Sequence, residues 1–578
     1  MESLPTKASI LLVSVAVASG ILLSHVNRDI FPWLPLSFGA SALVLLIAGS
    51  GWRLPRTWWI GLAVTVGVWY RAWVFVWPAS MVGLDPDKVA VAVNRIVDSG
   101  QVSSIAKLSF YSKSPLAHLY AAETSLITGL PAQQSLIVYA ITLGLVLPLV
   151  AAALARRFSD SSSVATVAMG IAATLVAVAT NGVMFAYWPL PQSISVLYWA
   201  CFLLTIVLYY HLASGARRWL FVPSLVGLLF SHKLGLFLAL ATLVAAVLVR
   251  LLNRVQVGGW GHATDYYKRE RGWRVALLVG LALAIQWVFL TEWIKAVVLS
   301  ALLPLLSPSL VAAASQPAFA NAVPVTSGIM DALAKNVNWL VLLPAGNLAA
   351  AVLWKWDDSI EATILLGATA ICSTLVGLSL VSAGGAATNR SLFFAEIVLS
   401  VPIAVVAGRR LARSSRMTTA GSISARSVVV LLLSALIVAQ VGGAGAAPDY
   451  PGEPRFYLTA GEVEAKEFAS ARIMSTTYAD PFYASEIVSF ERSNLPYRTG
   501  SGLSPPGFDT SSRLFLNGTA TDWSDANSSV DSYFAYRRSI AVLRSGFGLY
   551  KLQESLEPEL GLKANRVYSN GEVVIFGR

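Results

Sequence analysis

The sequence predicts an α-helical polytopic membrane protein of about thirteen spans, followed by a small extracytoplasmic α/β domain. Three observations predict it. The 578 residues are 56% hydrophobic and 13% charged, with mean hydropathy +0.64, whereas an average soluble domain is about 25% charged. Apolar runs of span length, bounded by charge, recur from the N-terminus to residue 441. From Ala447 onward that character is lost, and 13 Lys+Arg stand against 16 Asp+Glu. The rest of the chain holds 29 of the 42 basic and 15 of the 31 acidic residues. The net charge of +11 therefore lies between apolar runs, where it orients a membrane protein among lipids, and no nucleic-acid partner is expected. This composition excludes a soluble enzyme, a disordered chain and a fibrous one.

The spans follow in order. Ala8–Ser24 comes after Lys7 like a secretory signal, but His25-Val26-Asn27-Arg28 is a poor cleavage site, so it reads as an uncleaved span. Leu34–Ser50 and Trp58–Trp77 precede a long segment, 78–134. Then come Ser135–Ala155, Val164–Thr180 and Ile194–Leu212, and a short pair, Trp219–Phe230 and Leu234–Val249, around Ser231-His232-Lys233. Val275–Leu290 leads into a second long segment, 291–338, in which Pro304 and Pro308 interrupt an apolar stretch that reads as surface helices. Trp339–Trp354, Ala362–Ser382, Leu392–Ala407 and Val428–Val441 complete the set. Lys and Arg concentrate on alternate loops, among them Arg156-Arg157, Arg250 to Arg274 and Arg409 to Arg426. That bias puts the N-terminus in the cytoplasm, both long segments outside, and the C-terminal domain outside as well.

Residues 1–446 thus form the membrane domain and 447–578 the soluble one. In the tail, Ala460–Ala471 predicts a helix with an acidic first turn, and Arg472–Thr477 a strand. Val567 to Phe576 predicts a hairpin turning at Asn570-Gly571.

Chemistry concentrates in the first outer segment. It reads Gly83-Leu84-Asp85-Pro86-Asp87-Lys88, then Asn94 to Gly100, then Tyr111-Ser112-Lys113-Ser114-Pro115-Leu116-Ala117-His118. A carboxylate at Asp85, just beyond the third span, suits proton transfer from a hydroxyl. With Asp87 it also suits holding a divalent cation, or either residue simply caps a helix over Lys88–Val97. Arg71, near the outer end of its span, faces a cavity or snorkels. His232-Lys233 interrupts two apolar helices, and a polar break at that depth lines a cavity or forms a plain turn. Arg390 opens a helix, and Glu396 is ionisable inside a span. Tyr187-Trp188 either joins an interfacial aromatic belt or offers ring faces to a substrate. Cys201 and Cys372 lie in apolar runs and form neither a disulfide nor a metal framework. No phosphate-binding loop, dinucleotide fingerprint or zinc helix motif is present, which argues against a nucleotide-driven pump.

This pattern resembles the GT-C superfamily of integral-membrane glycosyltransferases, in an archaeal-type branch. There, an acidic residue in the first long outer loop precedes a surface helix, a Gly and a Tyr…Ser-Pro element. Here these are Asp85, Val89–Asp98, Gly100 and Tyr111…Ser114-Pro115. The short paired spans, the second outer segment and the extracytoplasmic tail are similar too. Two features depart from the family: the acidic segment follows the third span, and the Trp-Trp-Asp motif of the oligosaccharyltransferase branch is absent. The resemblance implies transfer of a sugar from a polyprenyl- or dolichyl-phosphate carrier to a glycan, lipid or protein acceptor, on the outer face of the plasma membrane. It implies Asp85 as general base, with Asp87 as its partner or as a second ligand of a divalent cation. Lys233, Arg390, Arg71 and Lys113 become candidates for the donor phosphate, and His118, His232, Tyr187, Trp188 and Glu396 for substrate contact. A lipid-linked glycan flippase or transporter, and a glycan polymerase or ligase, are the alternative readings. A transporter should carry repeated interrupted helices in matching halves, and only one interrupted pair is visible.

Overall fold

The computed structural model describes residues 10–11, 13–19, 33–51, 54–75, 80–82, 84–106, 114–187, 189–211, 219–269, 272–290, 333, 336–357, 359–381, 391–414, 420–443, 457–473, 477–480, 483, 508–510, 533–538, 542–545, 548–551, 557–558 and 564–577. The apolar runs fold as helices because, without water, backbone N–H and C=O groups must pair within their own segment. In chain order these are α1 (Trp33–Gly51), α2 (Arg56–Ala72), α3 (Leu84–Ser99), α4 (Pro115–Thr128), α5 (Ala132–Ser135), α6 (Ile137–Arg157), α7 (Ser162–Ala177) and α8 (Thr180–Tyr187). They continue with α9 (Pro191–His211), α10 (Phe221–Phe230), α11 (Lys233–Arg269), α12 (Gly272–Ile285), α13 (Val337–Trp356), α14 (Ile360–Val381), α15 (Leu392–Ser414) and α16 (Ala420–Gly442). One π-helical turn, Gln286–Leu290, extends α12. Among the described residues, six segments are long and apolar enough to cross a membrane, and five further apolar helices of 10–17 residues accompany them. The protein is a multi-pass helical membrane protein.

Two elements differ from expectation. The span expected at Val164–Thr180 stops at Ala177, and the separate helix α8 occupies residues that read as loop. The helix expected to end at Val249 runs on to Arg269, 37 residues in all, through the expected cytoplasmic loop. No proline interrupts that stretch, and Gly258, Gly259 and Gly261 weaken a helix without breaking it.

The bundle centre is α2, α6, α7 and α15. Helices approach closely where side chains vanish: a Cβ on Gly144 of α6 would stand 2.5 Å from the Val68 Cα of α2. Trp59 is fully buried between α1 and α7, where Gly49 and Gly170 leave room for its ring. Its Nε1 donates to Thr174 Oγ1 at 3.1 Å, so the indole carries no unpaired donor into the bundle.

The two ends of the bundle are chemically distinct. One end holds ion pairs between loops that read as cytoplasmic: Arg157–Glu361 at 2.8 Å and Arg409–Asp160 at 3.6 Å. There the Arg409 guanidinium also lies 4.5 Å from the Trp356 ring centroid, and Arg426 donates to the Ser50 carbonyl. The opposite end carries α3 to α5, the α7–α8 and α10–α11 breaks, and the attachment of the tail. At that attachment the Leu458 N–H donates to Ser80 Oγ at 2.8 Å. α3 and α4 pack through Val89, Ala90, Val93 and Ile96 against Ala117 and Ala121. α3 stops at Gly100 (φ 66°) and α4 at Gly129 (φ 73°), both in the left-handed conformation that ends helices.

The tail is a small α/β unit. Helix α17 (Ala460–Arg472) opens with a capping box formed by Thr459 and Glu462. The strands are β1 (Thr477–Ala479), β2 (Phe508–Thr510), β3 (Tyr533–Arg537), β4 (Val542–Ser545), β5 (Gly548–Lys551), β6 (Asn565–Ser569) and β7 (Val573–Gly577). Five form a sheet in the order β2-β1-β3-β7-β6, parallel across β2-β1-β3 and antiparallel beyond, while β4 and β5 pair separately. The strand expected at Arg472–Thr477 lies further on, because Arg472 still belongs to the helix. The expected hairpin is β6–β7: Gly571 turns at φ 92°, and Asn570 Oδ1 accepts from the N–H groups of Glu572 and Val573. Beneath the sheet, buried Arg537 grips Asp480 with two hydrogen bonds of 2.7 Å, and Glu462 stands 3.5 Å away.

Candidate functional site at one end of the bundle

Local sequence explains how the first outer segment reaches the bundle end. Pro86 lies in the first turn of α3, where its missing N–H costs nothing. Asp85 is the second residue of that helix, and its side chain lies outside the described residues. Asp87, in the same turn, is buried. His118 is buried in the second turn of α4, next to Ala117, whose carbonyl accepts from Tyr139 Oη at 2.6 Å. The aromatic hydroxyls of Tyr120 and Tyr198 meet at 3.3 Å and join α4 to α9. Lys113, Trp188 and Arg390 lie outside the described residues, as does the side chain of Tyr187, the last residue of α8.

The α10–α11 break is polar, as its sequence indicates. Buried His232 accepts the Leu234 N–H on Nδ1 at 3.3 Å, and its carbonyl accepts from Ser195 Oγ at 2.9 Å. Lys233, half-buried, begins α11. Gln286, which sequence reasoning passed over, donates Nε2 to the carbonyls of Leu228 (3.0 Å), Leu229 (2.8 Å) and Ser231 (3.2 Å). It satisfies the carbonyls that the end of α10 leaves open, and the π-helical turn brings it there.

The α7–α8 break gathers the two charges flagged inside spans. Arg71, fully buried, donates to four backbone carbonyls: Gly67 (2.9 Å), Val176 (2.9 Å), Ala177 (2.7 Å) and Gly182 (3.1 Å). Glu396, also fully buried, accepts from the Asn181 N–H, Asn181 Nδ2 and the Gly182 N–H, each at 2.9 Å. Beside them the Thr180 N–H donates to Gln440 Oε1 at 3.2 Å. Buried Asn338, at the start of α13, lies against Gly443 and Thr180. The structure thus brings Arg71 and Glu396 to one joint and His232 and Lys233 to another. Asn181, Thr180, Gln440 and Gln286 were missed because they are uncharged; a lone amide inside an apolar run was the available signal.

Among the described residues, no three His, Cys, Asp or Glu side chains come together to hold a metal ion.

No family model matches the chain, and no curated protein does. Solved structures do. The chain is similar to an oligosaccharyltransferase from Archaeoglobus fulgidus in complex with Zn and sulfate, with 14% identity over 74% of this chain and a TM-score of 0.45. It spans 60% of that protein's length. It is similar to ArnT from Cupriavidus metallidurans bound to undecaprenyl phosphate, with 13% identity, 90% of this chain, 98% of that chain and a TM-score of 0.46. It is also similar to the arabinofuranosyltransferase AftD from Mycobacteria, with 13% identity, 90% of this chain, 40% of that chain and a TM-score of 0.43.

Proposed function

We propose that this protein is a membrane glycosyltransferase that moves a sugar from a polyprenyl or dolichyl phosphate to an acceptor hydroxyl on the extracytoplasmic face. One observation carries the reading: α3, with Asp85 and Asp87 in its first turn, shares one end of the bundle with the Lys233 break and the foot of the tail. Two carboxylate residues, a lysine and the foot of a soluble domain thus share one end, which supports the reading. In this mechanism the Asp85 carboxylate takes the proton of the acceptor hydroxyl. The freed oxygen bonds to the anomeric carbon as the bond from that carbon to the phosphate oxygen breaks. Lys233 and Arg390 neutralise the charge left on the lipid phosphate. Asp85 and Asp87 would be the residues to hold a divalent cation, which would supply positive charge beside the phosphate. The bias of Lys and Arg toward the opposite end supports placing this face outside.

The test is transfer from a labelled polyprenyl-phosphate sugar by the purified protein in lipid nanodiscs. Asp85→Asn should lower kcat by about 100-fold or more, the scale of a lost general base. Wild-type transfer by that variant would remove Asp85 from the mechanism. Lys233→Ala should raise KM for the lipid donor more than it lowers kcat.

A further inference from the structure

The α7–α8 break holds two buried charges that this mechanism does not use. A helix end leaves carbonyls open and a helix start leaves N–H groups open, and in a bilayer neither can turn to water. Arg71, from α2, takes the carbonyls of Val176 and Ala177 at the end of α7. Glu396, from α15, takes the N–H groups of Asn181 and Gly182 at the start of α8. The two meet on one residue. The Gly182 N–H donates to Glu396 Oε2 at 2.9 Å, and the Gly182 carbonyl accepts from Arg71 Nε at 3.1 Å. There is no space for a side chain: a Cβ on Gly182 would lie 2.9 Å from Arg71 Nη2 and 3.1 Å from the Phe393 ring. Either charge alone in this interior would be stranded, whereas together they hold a polarised peptide chain between them.

We propose that Arg71, Gly182 and Glu396 form a charge-locked joint that positions α8, and through it the turn at residues 189–190, on the outer face. They are positioning residues in this role, in place of the phosphate and substrate contacts that the sequence suggested for Arg71 and Glu396. The joint stands on geometry alone; its importance for turnover rests on the sugar-transfer reading.

The experiment is amide hydrogen exchange over residues 178–187 of the full chain in nanodiscs, with donor kinetics on the same samples. Glu396→Gln keeps the shape and removes the charge. Gly182→Ala keeps both charges and forces the joint apart. Both should speed exchange in α8 by about ten-fold or more, the worth of a hydrogen bond to a charged group. Both should lower kcat by about 100-fold, with KM for the lipid donor within about two-fold, as expected of a misplaced site rather than a lost contact. Wild-type exchange in both variants overturns the joint. Fast exchange with unchanged kcat overturns the positioning role. If the wild-type protein transfers no sugar from any polyprenyl-phosphate donor, the reading of function falls, and exchange still decides the joint.

Discussion

Buried charge is handled in two ways in this protein, and the difference lies in single residues. In the membrane, Arg71 and Glu396 spend themselves mainly on backbone groups, with the Asn181 side-chain amide as the one exception among the described residues. In the tail, Arg537 and Asp480 spend themselves on each other, through paired hydrogen bonds. Replacing Asp480 by Asn should therefore leave the guanidinium with Glu462, 3.5 Å away, as its remaining carboxylate and cost the tail about 3 kcal/mol, read as earlier unfolding in denaturant followed by proteolysis. Replacing both partners by apolar residues should cost less than either single change. Tyr483 belongs to the same cluster, donating its hydroxyl to the Glu462 carbonyl at 2.9 Å. Burial pushes its phenol well above the ordinary value; Arg537 partly opposes this, while Glu462 and Asp480 reinforce it. In the unfolded chain the phenol ionises near about pH 10. Its contribution is intact below that pH and is lost as pH rises further, because the unfolded state then sheds a proton that the native state keeps. Tyr483→Phe should flatten the loss of tail stability between about pH 9 and pH 11. At this scale the sequence was informative wherever charge met an apolar run, as at Arg71 and Glu396. It was silent on their partners, because the Glu396 contacts span 215 residues and involve backbone groups that every residue carries.

Among elements, the legible ones are those decided locally. The β6–β7 hairpin follows from Asn570-Gly571, and α3 ends where Gly100 permits it. Gly571→Ala should cost about 1–2 kcal/mol, since a side chain resists positive φ, and should show as lower thermal stability of the tail. The illegible elements are those decided by tertiary contacts. Thr180-Asn181 offers a capping signal, but the Thr180 hydroxyl turns to Gln440, and the cap that closes the start of α8 arrives from α15. The end of α10 is similar, because its carbonyls are closed by Gln286 from another helix. Gln286→Leu would leave three buried carbonyls without that donor. A loss of about 1–3 kcal/mol should follow, measured as a lower melting temperature in detergent. The start of α3 was legible for a third reason: Asp85-Pro86 is a local signature of a helix start after a span, and the helix begins at Leu84, four residues before the expected Lys88.

For the whole molecule, the asymmetry of the two ends makes topology testable. Cysteines placed at exposed Ser162 and exposed Asn565, with Cys201 and Cys372 replaced, should differ in reach. A membrane-impermeant thiol reagent applied to intact cells should label Asn565→Cys and spare Ser162→Cys. Labelling of both, or the reverse, would invert the orientation on which the outer-face site depends. The length of α11 bears on the same geometry. Its 37 residues extend about 55 Å at 1.5 Å per residue, while the hydrocarbon core takes about 30 Å. The helix starts at Lys233 and outruns that core by a shaft of some 20 Å or more. A continuous helix behaves as a lever, so a load on that shaft tilts the ammonium group at its far tip. On the proposed orientation and mechanism, the donor contact would thereby be mechanically addressable from the opposite side of the membrane.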